Sequence, residues 1–315
     1  MNQMNFQNKK IAVIGPGGVG GYLAAMIGKT YRHVTLGARG ARLQSLRENG
    51  LILHSDYHGE ITAIPEQILP TEEIGPQDYI FICVKNYSLE EVCHNLNSAV
   101  TDQTVIIPVM NGTDPGDRTR NILNKGIVID SLIYIIAFSN QDFSISQQGD
   151  IARLVIGIEN ASEEQWMRVE EVSALLSGAG IDCSTAHDIQ TEIWRKYILN
   201  CAYNVATACY ENTIGQIRND PDKTRNYEAL VNEARQVALA KGIGIKQEHI
   251  DAILYQFHHI YGNDATSSLE RDILQGHKSE LETFSGYLVR EAGKLHVPVP
   301  VSEQMYRELK KKAIV

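Results

Sequence analysis

Three consecutive signals near the N-terminus constrain this chain more than anything else in it. Lys10-Ile11-Ala12-Val13-Ile14 is a β-branched apolar run, Gly15-Pro16-Gly17-Gly18-Val19-Gly20 follows it directly, and Tyr22 to Ile27 is an apolar helical stretch. G-x-G-x-x-G is a weak pattern alone. Placed between a buried strand and a helix, it has the context that a dinucleotide-binding turn requires. The glycines have separable tasks: Gly15 permits the tight turn, Gly17 lets the backbone approach a pyrophosphate, and Gly20 allows the helix to pack closely on the strand. Gly18 stands with them at the helix start, where N–H groups and the helix dipole favour phosphate. A glycine-rich turn without a ligand is the competing reading.

The rest of the first half repeats the alternation. Apolar strand runs are expected at His33–Leu36, Leu51–Leu53, Tyr79–Val84, Thr104–Val109 and Ile127–Ile129, with a hairpin or an irregular crossover between Ser55 and Pro65. Continuous apolar strands separated by helices imply a parallel sheet covered on both faces. Beyond Asp130, strands at Ser131–Phe138 and Ala152–Gly157 around a turn-rich segment from Asn140 to Asp150 suggest an antiparallel extension of that sheet, followed by a helix (Glu163–Leu176) and a short strand near Ile181. From Ala186 onward only helical patterns remain, at 190–209, 225–241, 246–261, 267–274 and 280–295. The expected class is therefore α/β: a Rossmann-type dinucleotide-binding domain over residues 1–185, then an all-helical domain over 186–315.

With 315 residues, two sizeable cores are affordable. The net charge of −9 argues against a nucleic-acid binder. No apolar run is long enough to span a bilayer, and the polar segment from Met1 to Lys10 does not read as a secretory signal. The five cysteines are scattered, without C-x-x-C or H-E-x-x-H spacing, and His258-His259 points to different helix faces, so no metal site is expected. These features point to a cytoplasmic setting. A homodimer through the helical domain stays open, since no dimer face is legible.

Cofactor choice turns on the end of the second strand. Sites preferring NAD place a carboxylate about 20 residues after the glycines, whereas Leu36-Gly37-Ala38-Arg39-Gly40-Ala41-Arg42 has none. Arg39 is placed to pair with a 2′-phosphate, assisted by Arg42, so NADP(H) is expected; the alternative is a solvated loop arginine. Lys85 follows the strand ending at Val84, and Asn111-Gly112 follows Val109-Met110, at strand ends where ligands bind in such sheets. Asn-Gly is equally an ordinary turn.

In the helical half, Lys196, Asn200 and Asn204 recur at i, i+4 and i+8 on an otherwise bulky, apolar helix. A lysine there either snorkels to solvent or serves a polar site with the two amides. Downstream, Gly276 interrupts a helix and Ser279 with Glu282 matches a capping box, which would place Glu280 in the first turn of a new helix. A surface carboxylate favoured by the helix dipole is the other reading of Glu280.

Taken in order, the Gly15/Gly17/Gly20 loop, Val84-Lys85, Asn111-Gly112, Trp194-Arg195-Lys196 with Asn200 and Asn204, and Ser267-Ser268-Leu269 with Asp272 and Ser279-Glu280-Leu281-Glu282 resemble the ketopantoate reductase (2-dehydropantoate 2-reductase) family, from Ile11 to about Met305. The resemblance implies NADPH-dependent reduction of a small 2-oxo acid to a 2-hydroxy acid, on the path to pantothenate and coenzyme A. It implies Lys196 as general acid with Glu280 beside it, Asn200 and Asn204 on the substrate hydroxyl, and Ser268 on its carboxylate. Asn111 would position nicotinamide ribose and substrate, with Lys85 near the cofactor. The chain departs from the family pattern at Ala265 and Ser285, where asparagine is usual, and over Gly112–Asp117. Two alternatives stand beside ketopantoate reduction: a paralogous reductase of another 2-oxo acid, and an NADP-binding sensor without turnover. The Lys196, Asn200, Ser268 and Glu280 set argues against the sensor, which needs no proton donor.

Overall fold

The computed structural model describes residues 6–314. The chain divides into two compact units between Ile189 and Gln190.

The first unit is built on six parallel strands in the order β5-β2-β1-β6-β7-β8: β1 Ile11–Ile14, β2 Val34–Gly37, β5 Gln67–Leu69, β6 Tyr79–Ile82, β7 Val105–Pro108 and β8 Ile127–Val128. Every residue of β1, β6 and β7 is buried. The reason is visible in the alternation of side chains. Ile11, Val13, Tyr79, Phe81, Val105 and Ile107 pack on helix α1 (Gly18–Gly28) and its surroundings. Ala12, Ile14, Ile80, Ile82 and Ile106 enter a second core with α3 (Leu89–Asn95) on the opposite face. With both faces covered, the central strands β1, β6 and β7 read as unbroken apolar runs.

The antiparallel segment corrects one expectation. It does not extend the main sheet. Strands β9 (Asp130–Ser139) and β10 (Ile145–Gly157) pair antiparallel, with a register shift between Gln148 and Ala152. They belong to a second sheet with β3 (Leu51–Ser55), β4 (Gly59–Ala63) and β11 (Asp182–Thr185). Helix α1 explains why. All eight residues from Gly20 to Ile27 are buried. A helix apolar all round needs cover on every side, and Leu51, Leu53, Ile145 and Leu154 of the second sheet provide it opposite β1. The stretch expected to be turn-rich is partly strand because its polar residues are satisfied inside the sheet. Gln147, for example, is 1% exposed and accepts a hydrogen bond from Ser55 Oγ at 2.5 Å. Helix α2 (Gly40–Asn49), α4 (Pro115–Ile122) and α5 (Glu163–Gly178) complete the unit, and β3 and β4 form the hairpin between Ser55 and Gly59.

The second unit is helical: α6 Ile189–Tyr210, α7 Ile214–Arg218, α8 Pro221–Ala240, α9 Gln247–Tyr255, α10 Ser268–Leu274, α11 Tyr287–Leu295 and α12 Pro300–Leu309, with π-helical turns at Gln256–Ile260 and Glu282–Gly286. Its core gathers Trp194, Tyr197, Ile198 and Val205 of α6 with Tyr227, Phe257, Phe284 and Leu288. Helix α12, absent from the sequence expectations, begins where Glu233 of α8 accepts the backbone N–H groups of Val301 (2.9 Å) and Ser302 (2.8 Å). Its N-terminal cap therefore comes from a residue far away in sequence. No helix of the described residues is long and apolar enough to cross a membrane.

The capping box expected at Ser279 does not form. Ser279 Oγ is buried without a hydrogen-bond partner, and its backbone N–H, which Glu282 would accept in a capping box, goes to Ile314 O at 2.8 Å beside an isolated bridge. Glu282 turns instead to Arg290 Nη1 (2.5 Å) and Tyr306 Oη (2.6 Å). Glu280 O accepts from Thr283 N and Phe284 N, so Glu280 precedes the new helix rather than lying in its first turn.

Candidate active site

Each unit carries its own set of chemical groups. In the first, the chain leaves β1 through Gly15, whose φ of +78° suits glycine and no bulkier residue. Gly15 N donates to Gly37 O at 3.0 Å, and Gly17 N donates back to Gly15 O at 2.8 Å, closing the loop before α1 begins at Gly18. At Gly20 a β-carbon would stand 2.3 Å from Gly15 O and 2.8 Å from Cys83 Cβ, so α1 rests directly on the loop and on the chain leaving β6. Gly17 differs: a β-carbon there would meet nothing within 4 Å. The backbone thus faces open space beside the first-turn N–H groups of an eleven-residue helix, a cradle that fits a pyrophosphate.

The two arginines after β2 separate in role. Arg39 is 75% exposed at its side chain and meets Glu91 Oε1 at 3.1 Å. An exposed pair of this kind is weakly held, which leaves its guanidinium available to a phosphate. Arg42 is occupied as a brace. It donates to Pro16 O at 3.0 Å and to Phe143 O, and desolvation lowers its pKa to about 10. Lys85 and Asn111 emerge from β6 and β7, which are parallel neighbours with Ile82 opposite Pro108. Both are half-buried, and both lie at the same strand ends as the glycine loop.

In the second unit, α6 presents the expected stripe. Asn204 Nδ2 donates to Asn200 Oδ1 at 3.3 Å, and Ser268 Oγ donates to Asn204 Oδ1 at 3.3 Å. Ser268 thereby joins a polar row with the two asparagines. Lys196, one turn before Asn200, is half-buried. Desolvation lowers its pKa to about 8, and the Glu280 carboxylate partly offsets this. Glu280 is 5% exposed. An amine with a pKa near neutrality beside a buried carboxylate is suited to donating a proton at the pH where it works.

Sequence reasoning missed two supports of these sets. Ser267 Oγ caps α10 by accepting from Glu270 N at 3.1 Å and also contacts Thr207 Oγ1 at 2.7 Å. The S-x-x-E pattern from Ser267 to Glu270 signalled this cap. Asn86 and Arg118, which tie the loops of Lys85 and Asn111 together, carried no local signal. Among the described residues, no group of three or more His, Cys, Asp or Glu could hold a metal ion.

Comparison with known proteins decides the family. The model described as "Ketopantoate reductase PanE/ApbA" matches residues 11–160, and that of the C-terminal part of the same family matches residues 188–313. The chain belongs to the ketopantoate reductase family. Membership makes it an oxidoreductase of that family, with the α/β and helical parts that the two matches cover. Among its relatives, the uncharacterized oxidoreductase YkpB of Bacillus subtilis is 26% identical over 304 residues, which are 95% of this chain and 97% of that protein. The crystal structure of 2-dehydropantoate 2-reductase from Porphyromonas gingivalis is 27% identical, with a TM-score of 0.81 covering 96% of this chain and all of the other. D-mandelate dehydrogenase, in a ternary structure with NADH and anilino(oxo)acetate, shares the fold at a TM-score of 0.85 over 96% of this chain and 98% of its own, at 19% identity.

Proposed function

We propose that the protein reduces 2-dehydropantoate to pantoate with NADPH, in the supply of pantothenate and coenzyme A. The observation that carries this reading is the polar stripe of α6, where a lysine whose pKa desolvation lowers to about 8 precedes Asn200 and Asn204, which Ser268 joins, while the buried Glu280 acts on the lysine's charge. NADPH, when bound, supplies a hydride to the carbonyl carbon. Gly15, Gly17, Gly18 and Gly20 form the turn for its pyrophosphate, Arg39 pairs with its 2′-phosphate, and Lys85 and Asn111 act at the nicotinamide end. As charge develops on the carbonyl oxygen, Lys196 stabilises it and then hands over its proton. Glu280 keeps that lysine protonated against the desolvation around it. Asn200 and Asn204 hold the substrate hydroxyl and Ser268 its carboxylate.

A second reading, reduction of another small 2-oxo acid, is favoured by Ala265 and Ser285. Ser285 is 2% exposed, and Ala265 lies just ahead of the Ser267 cap, with its carbonyl accepting from Ile214 N at 2.9 Å. A panel of 2-oxo acids with NADPH and with NADH, followed by loss of reduced-nucleotide absorbance, separates the two. Turnover of 2-dehydropantoate with NADPH, abolished by Lys196→Ala, supports the first reading. Turnover confined to other acids selects the second, and nucleotide binding without turnover of any acid removes both.

A further inference from the structure

We propose that Asn86 is a positioning residue: gripped by Arg118, its side chain holds the Asn111 backbone in place and so fixes the loops of Lys85 and Asn111 against each other. The inference rests on the reading of Lys85 and Asn111 as nicotinamide-end contacts. The sheet takes these loops only part of the way. Lys85 is the third residue after Ile82, and Asn111 the third after Pro108, the pair that ends the β6–β7 register. The ladder closes with Val109 N donating to Ile82 O at 2.8 Å. Beyond that point strand pairing no longer sets the distance between the loops.

Asn86 takes over there. Its Nδ2 donates to Asn111 O at 2.6 Å. Arg118, on α4, donates from Nη1 to Asn86 Oδ1 at 3.1 Å and from Nη2 to Asn86 O at 3.2 Å. The orientation of the amide follows from chemistry: a guanidinium only donates and a backbone carbonyl only accepts, so Oδ1 must face Arg118 and Nδ2 must face Asn111. Asn86 is 5% exposed, so neither bond competes freely with water, and leaving either partner unsatisfied is costly. Helix α4 begins at Pro115, within the Gly112–Asp117 stretch that departs from the family pattern, and Arg118 follows that stretch directly. Arg118 therefore anchors this divergent loop to the segment that carries Lys85.

Asn86→Asp is the discriminating variant. It keeps the shape and the acceptor for Arg118, now carrying a negative charge, but turns an oxygen toward Asn111 O, so the bond that positions Asn111 is lost while the grip of Arg118 is kept. Misplacement of reacting groups by about 1 Å costs up to about 100-fold. We expect kcat to fall about 10-fold or more, with the KM for the 2-oxo acid within about 3-fold of wild type. NADPH should bind several-fold more weakly, while adenosine 2′,5′-bisphosphate, which lacks the nicotinamide half, should bind as to wild type. If kcat and NADPH affinity both stay within about 2-fold, or if both nucleotides weaken equally, the positioning role is wrong. A wild-type protein that reduces no 2-oxo acid would defeat the proposed function alone, and the two nucleotide affinities would still decide the role of Asn86.

Discussion

Replacing Glu280 with glutamine isolates the electrostatics that the proposed chemistry depends on. Desolvation lowers the Lys196 pKa from 10.5 to about 8, and the Glu280 carboxylate opposes that fall. The net drop favours the neutral amine by about 3 kcal/mol, at about 1.4 kcal/mol per pH unit. A carboxylate within about 4–6 Å shifts a neighbouring group by roughly 1–3 pH units. At the lower end of that range, Glu280→Gln leaves Lys196 titrating near about 7. At pH ~7.5 the protonated fraction then falls from about three-quarters to about one-quarter. A general acid works only while it carries its proton, so kcat/KM is full below the lysine pKa and is lost as pH rises through it. The alkaline limb of the kcat/KM profile for 2-oxo acid reduction should therefore move from about pH 8 in the wild type to about pH 7 or lower in the variant. Profiles measured over that range on both proteins, with saturating NADPH, read the shift directly. A limb at the same pH in both would refute the claim that Glu280 holds the charge of Lys196, and a limb that survives in Lys196→Ala would remove the lysine as its source.

Three further outcomes follow from the same geometry. The folded-state pKa of Lys196 lies below its unfolded value, so the native protein binds fewer protons between about pH 8 and 10.5 and gains stability as pH rises through that window. Between about pH 7.5 and 9.5, urea unfolding should show the wild type gaining about 2 kcal/mol relative to Lys196→Met, and parallel pH dependences would contradict the depressed pKa. Arg39→Ala should raise the KM for NADPH about 10-fold, on the scale of one lost charged hydrogen bond, and leave that for NADH unchanged; steady-state kinetics with both nucleotides check this, and an unaltered NADPH value removes Arg39 from the site. Gly20→Ala adds a β-carbon 2.3 Å from Gly15 O, so thermal or urea melts should show a loss of about 1–3 kcal/mol and nucleotide titration a weaker affinity.

Much of the first unit was legible because its strands are buried on both faces and so read as unbroken apolar runs. The β1–glycine loop–α1 passage needed only local information, since the turn, the helix start and the close packing at Gly20 are set by residues adjacent in sequence. The stripe of Lys196, Asn200 and Asn204 was legible for the same reason, as helical periodicity is local. The capping box at Ser279 misled because a bridge to Ile314 captured the serine's backbone. Helix α12 escaped notice because its cap comes from Glu233.

What the sequence determined by itself, then, is the buried central strands of the first unit, the glycine turn and the polar face of α6, all written within a few residues of where they act. Only tertiary structure decided that α1 is sandwiched beneath a second sheet, that Arg42 braces the loop while Arg39 stays exposed, that Ser268 reaches Asn204 across 64 residues, and that Asn86 joins two loops through Arg118. The physical reason is the same in each case. A hydrogen-bond acceptor or an apolar face specifies what kind of partner it needs, and packing alone determines which distant residue supplies it.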